Sequence, residues 1–253
     1  MKHKKILLLI LILLSFSYRI FGQEFSSDSN TVNRNIEFKY SALIIPTTLI
    51  GYGVIGIESD GLKIWNSEIK EELNENIDEK LTIDDFSQYA PALTVYALDA
   101  LGIKGKNNFR DKTIILTTSF LIMTTTVTSL KLTTNVKRPD GSSNNSFPSG
   151  HTATAFMGAE FLWQEYKDVS LWYGITGYVI ATGTGFFRMY NDRHWLTDVA
   201  TGAGIGILST KIAYWVNPYI TKKLFHDKNK QYSSVFYPYY NGEQFGIGLA
   251  IRF

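Results

Sequence analysis

The 253-residue chain contains no cysteine. That excludes disulfides, thiolate catalysis and cysteine-based zinc sites, and leaves the redox compartment open. Histidine is nearly as scarce, with four in the whole chain. His3 falls in the N-terminal segment and His226 in a basic tail, so His151 and His194 are the imidazoles of the body. Net charge is only +2, and no basic stripe interleaves with aromatics, so nucleic acid is not an expected partner. No internal repeat or extended low-complexity tract is present.

What the chain has in quantity is apolar sequence. MKHKK followed by ILLLILILLSF (6–16) reads as a signal peptide, with a cut after Gly22, or as an N-terminal anchor. Residues 23–39 are polar and irregular. Stretches 40–57, 113–130 and 169–187 carry no charge, and 199–221 carries only Lys211. Two further helices are interrupted by acids: 86–103 by Asp99 and 151–165 by Glu160. The pattern predicts an all-α bundle of about six helices over 23–230, embedded in a membrane. A mean hydropathy of −0.05 is low for such a protein, and 113–130 holds seven threonines. A soluble or peripheral helical domain is the alternative. The tail, 231–253, carries Asn241-Gly242 between SSVFYPYY and EQFGIGLAIRF, which predicts a β-hairpin.

Loop charge suggests an orientation. Residues 58–85 hold ten acids and three bases, whereas 104–112 hold four bases and one acid. The positive-inside tendency puts the second loop in the cytoplasm and the first outside. Residues 131–150 and 188–198 then also fall outside. A cleaved leader conflicts with this if 40–57 crosses the membrane; either 40–57, with Pro46, Gly51, Gly53 and Gly56, dips or lies in the interface, or the bundle does not span a membrane at all.

Three segments hold most of the chemistry-bearing side chains. In Pro148-Ser149-Gly150-His151, Ser149 is a natural N-cap and Gly150 admits close backbone approach. A helix start here offers free N–H groups to an anion, with His151 at its lip; a plain capped helix is the alternative. In RMYNDRHWLTD, His194 and Asp198 stand four apart, hence on one helical face. An aspartate on one ring nitrogen fixes the tautomer and frees the other; metal ligation and an ordinary surface pair are the competing readings. In KLTTNVKRP, Lys131 and Arg138 place two cations either side of a bend. Arg188 adds a third, with a fork suited to phosphate oxygens.

Together the three spacings, Lys-x6-Arg-Pro, Pro-Ser-Gly-His and Arg-x5-His-x3-Asp, resemble the signature of the type 2 phosphatidic acid phosphatase (PAP2) superfamily. Phe187 departs from it, standing where the family has serine. RPDGSSNNSFPSGHTATAF and RMYNDRHWLTDV are most similar to the lipid A phosphatase branch of Bacteroidetes-like bacteria. The resemblance implies a PAP2-like bundle and a phosphatase acting on a phosphorylated lipid at a membrane. His194 would be the nucleophile, Asp198 its orienting partner, and His151 the acid and then base. Lys131, Arg138, Ser149, Gly150 and Arg188 would hold the phosphoryl group, with no metal or cofactor. A soluble periplasmic acid phosphatase and a vanadium haloperoxidase are the alternatives within the resemblance.

Overall fold

The computed structural model describes residues 40–75, 80–225, 233–240 and 244–252. The N-terminal segment, and with it the leader, lies outside the described residues. A short 3-10 turn leads into α1 (Ile44–Glu58). There follow α2 (Asp60–Asn74), α3 (Ile83–Ser87), α4 (Ala90–Ala100), α5 (Phe109–Thr134), α6 (Gly150–Tyr166), α7 (Leu171–Tyr190) and α8 (Leu196–Phe225). Strands β1 (Ser233–Tyr240) and β2 (Phe245–Arg252) form the expected antiparallel hairpin. Its last paired residues are Tyr240 and Phe245; the Asn241-Gly242 turn lies outside the described residues.

The helical bundle agrees with the sequence pattern, but there are eight helices rather than six among the described residues. The expected 86–103 helix is split at residues 88–89, just before Pro91 at the start of α4, where a missing N–H is tolerated. The acidic segment is not a loop: it contains α2 and α3.

Helix α6 is the axis of the bundle. Buried residues ring it, from Thr152 and Ala153 through Met157 and Phe161 to Tyr166, the pattern of a helix packed on all sides. Helix α8 crosses it in close contact. A Cβ on Gly202 would fall 2.4 Å from the Ser149 carbonyl oxygen, and one on Gly206 2.3 Å from that of Ala153. Only hydrogen fits there, so two glycines let the backbones touch. The first turn of α6 is thereby fixed against the second and third turns of α8. A backbone hydrogen bond from Ser149 N to the Asp198 carbonyl, 3.0 Å, completes the joint.

The charges that interrupt the apolar runs pair inside the bundle. Lys211 meets Glu160 at 2.7 Å and Lys112 meets Asp99 at 2.6 Å. Glu165 accepts from Tyr214 and from the Asn107 side chain. Partnered ionisable groups are what an apolar surround permits. Among the described residues, three helices are long and apolar enough to cross a membrane: Tyr40–Glu58, Phe109–Thr134 and Leu196–Phe225. The first two are mostly unburied, displaying Ile44, Ile45, Ile55, Phe120 and Leu121 outward.

Candidate active site

All eight residues singled out from the sequence lie at one end of the bundle, where α5 and α7 finish and α6 and α8 begin. Helix α5 ends on Asn135 in the left-handed region (φ 49°), with Lys131 in its last turn. The chain then loops through 136–149 to α6. That loop is strapped to the 191–195 turn. Asp140 receives Arg193 at 3.0 Å, Trp195 Nε1 donates to the Lys137 carbonyl, and Asp140 N donates to the Asp192 carbonyl.

His194 sits in that turn, before α8 begins, and Asp198 occupies the first turn of α8. The two are therefore not on one helical face as their spacing suggested. His194 Nδ1 lies 3.6 Å from Asp198 Oδ2, beyond hydrogen-bond reach. Ser146 fills the interval. Its hydroxyl donates to Asp198 Oδ2 and stands 3.5 Å from Nδ1. Trp195 N also donates to Asp198 Oδ2, at 2.9 Å, while Oδ1 has no partner. Both side chains are almost completely buried. Burial pushes the His194 pKa down to about 4, against the pull of Asp198, and Lys131 and Arg188 add to the depression. The imidazole is neutral above that pH, with Nε2 the nitrogen not occupied by this cluster.

Ser149 caps α6, accepting from Thr152 N. Gly150 follows it, and the nearest atom to an added Cβ would be Val127 Cγ1 at 3.8 Å. A side chain would fit here in ordinary van der Waals contact, and the N–H groups of this first turn are of the kind that can meet an oxyanion. Lys131 Nζ is held by the Asn145 carbonyl at 2.6 Å, and Arg138 Nε by Asn145 Oδ1 at 3.0 Å. Lys131 and Arg188 act electrostatically on His194, and Arg138 and Arg188 act on each other. Three cations thus share one field with the buried imidazole.

Three contributors escaped the sequence reading. Ser146 is one. The others are Asp84 and Asp85 of α3: Asp84 pairs with Arg188 Nη1, and Asp85 Oδ1 lies 3.0 Å from His151 Nε2. Phe187, at the serine position of the signature, packs against Phe186 and Tyr190 with ring centroids 5.8 and 5.9 Å away. A cavity of about 210 Å³ opens beside Asp198, lined on the α2 side by Lys63, Asn66 and Ser67.

Residues 112–222 match the PAP2 superfamily. This segment is a PAP2 domain. It encloses Lys131, Arg138, Ser149, Gly150, His151, Arg188, His194 and Asp198. Among curated relatives, a lipid A 1-phosphatase of Porphyromonas gingivalis is 38% identical over 139 residues, 54% of this chain and 31% of that protein. The bacitracin transport permease protein BcrC of Bacillus licheniformis is 34% identical over 30% of this chain and 35% of that protein. The chain thus spans about a third of the length of the curated relatives it matches. Of solved structures, Aquifex aeolicus LpxE is 27% identical with a TM-score of 0.45, covering 59% of this chain and 94% of that one. A PAP2-type phosphatidylglycerolphosphate phosphatase from Bacillus subtilis is 20% identical with a TM-score of 0.42, covering 74% and 98%.

Proposed function

We propose that the protein is a phosphatase that hydrolyses a lipid phosphate monoester or diphosphate through a phosphohistidine on His194. One observation carries this reading. A neutral, buried imidazole, backed by Ser146 and Asp198, stands at the joint between the α6 N-terminus and α8, with Lys131 and Arg188 acting on it.

Each step then has a named group. The N–H groups that follow Ser149 at the start of α6, beginning with Gly150, bind the phosphoryl oxygens with Lys131, Arg138 and Arg188. His194 Nε2 attacks phosphorus, the bond to the leaving oxygen breaks, and His151 delivers a proton to that oxygen. Nδ1–H of the now cationic His194 faces the Ser146 hydroxyl and the Asp198 carboxylate. In the second step His151 takes a proton from water, the hydroxide oxygen bonds to phosphorus, and the P–N bond breaks to release phosphate. Positioning and charge neutralisation do most of the work in phosphoryl transfer, and three fixed cations supply the neutralisation here.

A lipid substrate is favoured by the outward apolar faces of α1 and α5, which bring a bilayer to the flank of the site. The P. gingivalis relative's name makes a lipid A phosphate the first substrate to test. The site is assigned to the outer face of the inner membrane. The decisive assay is phosphate release by detergent-solubilised protein from lipid A phosphate, phosphatidate and a soluble aryl phosphate, with and without EDTA. Release that resists EDTA and is blocked by vanadate, a mimic of the trigonal-bipyramidal transition state, is expected. No release from any of the three substrates refutes the reading.

A further inference from the structure

Helix α3 lies outside the matched segment, yet two of its five residues reach the site. Asp84 is almost fully buried. It pairs with Arg188 Nη1 and accepts from Asn191 Nδ2 at 3.0 Å. Asp85, half exposed, places Oδ1 3.0 Å from His151 Nε2 and 3.8 Å from Arg188 Nη1. The helix is also held to α7 and its C-terminal cap by contacts that do not involve Asp85. Leu81 exchanges two hydrogen bonds with the Asn191 side chain, 3.0 and 2.6 Å, and Ser87 Oγ meets Thr184 Oγ1 at 2.7 Å. A rigid mount of this kind sets where the two acids stand.

We propose that Asp84 and Asp85 are positioning residues for the phosphatase reaction, Asp84 aiming the Arg188 fork and Asp85 orienting the His151 imidazole. The inference rests on the phosphatase reading above. Asp85 occupies Nε2 and so leaves Nδ1 as the ring nitrogen that exchanges a proton with the leaving oxygen and then with water. Asp84 holds Arg188 by one terminal nitrogen, while the buried Nε has no protein partner. That is the arrangement of a guanidinium held on one side and free on the other for a phosphoryl oxygen. The same three groups, Asp84, Asp85 and His151, are close enough together to ligate a cation. Arg188 already supplies positive charge between the two acids, which favours the positioning role.

Proton delivery matters in proportion to how poor the leaving group is, and this separates positioning from mere structural support. The Asp85→Asn and Asp85→Glu variants are to be compared with wild type in detergent on a long-chain alkyl phosphate and on p-nitrophenyl phosphate. A general acid contributes about 10²–10⁴-fold; losing its orientation but not the imidazole should forfeit about 10- to 100-fold. Asp85→Asn is expected to lose that factor in kcat on the alkyl ester and less than about 3-fold on the aryl ester. Asp85→Glu should recover most of the alkyl activity. Equal losses on both esters, or no loss on either, overturn the proposal for Asp85. Asp84→Asn is expected to raise KM for both esters alike, and an unchanged KM overturns the proposal for Asp84. Wild-type activity abolished by EDTA and restored by a divalent cation would make the cluster a metal site and overturn both. Wild type inactive on both esters would instead sink the phosphatase reading itself.

Discussion

Substituting Ser146 by alanine tests the coupling between His194 and Asp198. Two donors meet Asp198 Oδ2, the Ser146 hydroxyl and Trp195 N–H, while Oδ1 has none. The hydroxyl is also the nearer neighbour of His194 Nδ1, at 3.5 Å against 3.6 Å for the carboxylate. A hydrogen bond to a charged group is worth about 1.5–3 kcal/mol net. The imidazole becomes cationic only when Nε2 is phosphorylated, so much of the hydroxyl's effect belongs to the chemical step. At 1.36 kcal/mol per decade this predicts a fall in kcat of about 10- to 150-fold. KM should stay within about 3-fold, because Lys131 uses the Ser146 backbone carbonyl, which alanine keeps. Rapid-quench measurement of the phosphoenzyme should show slower formation, with circular dichroism melting reporting the cost of leaving a buried carboxylate with one donor. A kcat within about 3-fold of wild type, or a loss confined to KM, would refute the relay through Ser146.

His194→Ala should abolish turnover and the acid-labile, alkali-stable label left by a radiolabelled phosphate ester; label retained in the variant rejects the nucleophile. Because the imidazole protonates only near pH 4, the acidic limb of kcat/KM, corrected for substrate ionisation, should fall as pH drops through about 4; a limb near 6.5 would mean an unburied nucleophile. Gly206→Val would drive Cβ onto the Ala153 carbonyl and Met157 N, 2.3 and 2.7 Å away, and should cost at least about 1–3 kcal/mol in melting stability. Gly183→Ala, with nothing within 4 Å, should cost nothing; equal losses would contradict the tight α6–α8 crossing. Single cysteines at the exposed positions Ser142 and Lys104 should differ in spheroplasts, with Ser142→Cys labelled by an impermeant maleimide and Lys104→Cys protected; the reverse pattern puts the site in the cytoplasm.

His151, His194, Asp198, Lys131, Arg138 and Arg188 were legible because ionisable side chains among apolar helices and turns demand an explanation of their own. Ser146 gave no such signal. It is one of four serines within 142–149, a composition any turn can have, and its partner lies 52 residues on. Asp84 and Asp85 were two acids among ten in 58–85, and Arg188 is 104 residues from Asp84. Helix α2 was missed for a different reason. Its less exposed face runs through Leu62, Asn66, Ile69, Lys70 and Leu73, while Ile64 and Trp65 face outward. The polar Asn66 and Lys70 point in because they bond Thr197 and the Pro139 carbonyl, at 3.0 and 2.8 Å. Leu62, Ile69 and Leu73 share that face, so a helical period was present in the sequence, but ten acids between residues 58 and 85 and the outward Ile64 and Trp65 made the segment read as a loop.

The conflict over sidedness also has a structural origin. Whether residues 40–57 dip or span was open from the sequence, and Tyr40–Glu58 is long and apolar enough to cross. Its glycines fix its direction: Gly56 abuts Thr197 at the start of α8, and Gly204, further along α8, abuts Pro46 and Ile50. Helix α1 therefore runs antiparallel to α8 and delivers Glu58 to the end that carries His194. Counting from there, the α3–α4 pair leads away from the site, α5 returns, α6 leaves, α7 returns and α8 leaves. Residues 40 and 225 consequently share the far end with the basic 104–112 loop, where Arg110 stacks over Phe225 with 4.7 Å to the ring centroid. Lys222 and Lys223 lie there too. An even number of passages with positive charge gathered at the opposite end from the site is what the positive-inside tendency asks of a site facing outward. In that orientation the chain enters α1 from the cytoplasmic side, whereas a cleaved export signal would enter it from outside and turn the site inward. The proposed outer-face site therefore requires residue 40 to start on the cytoplasmic side, however the N-terminal segment is processed.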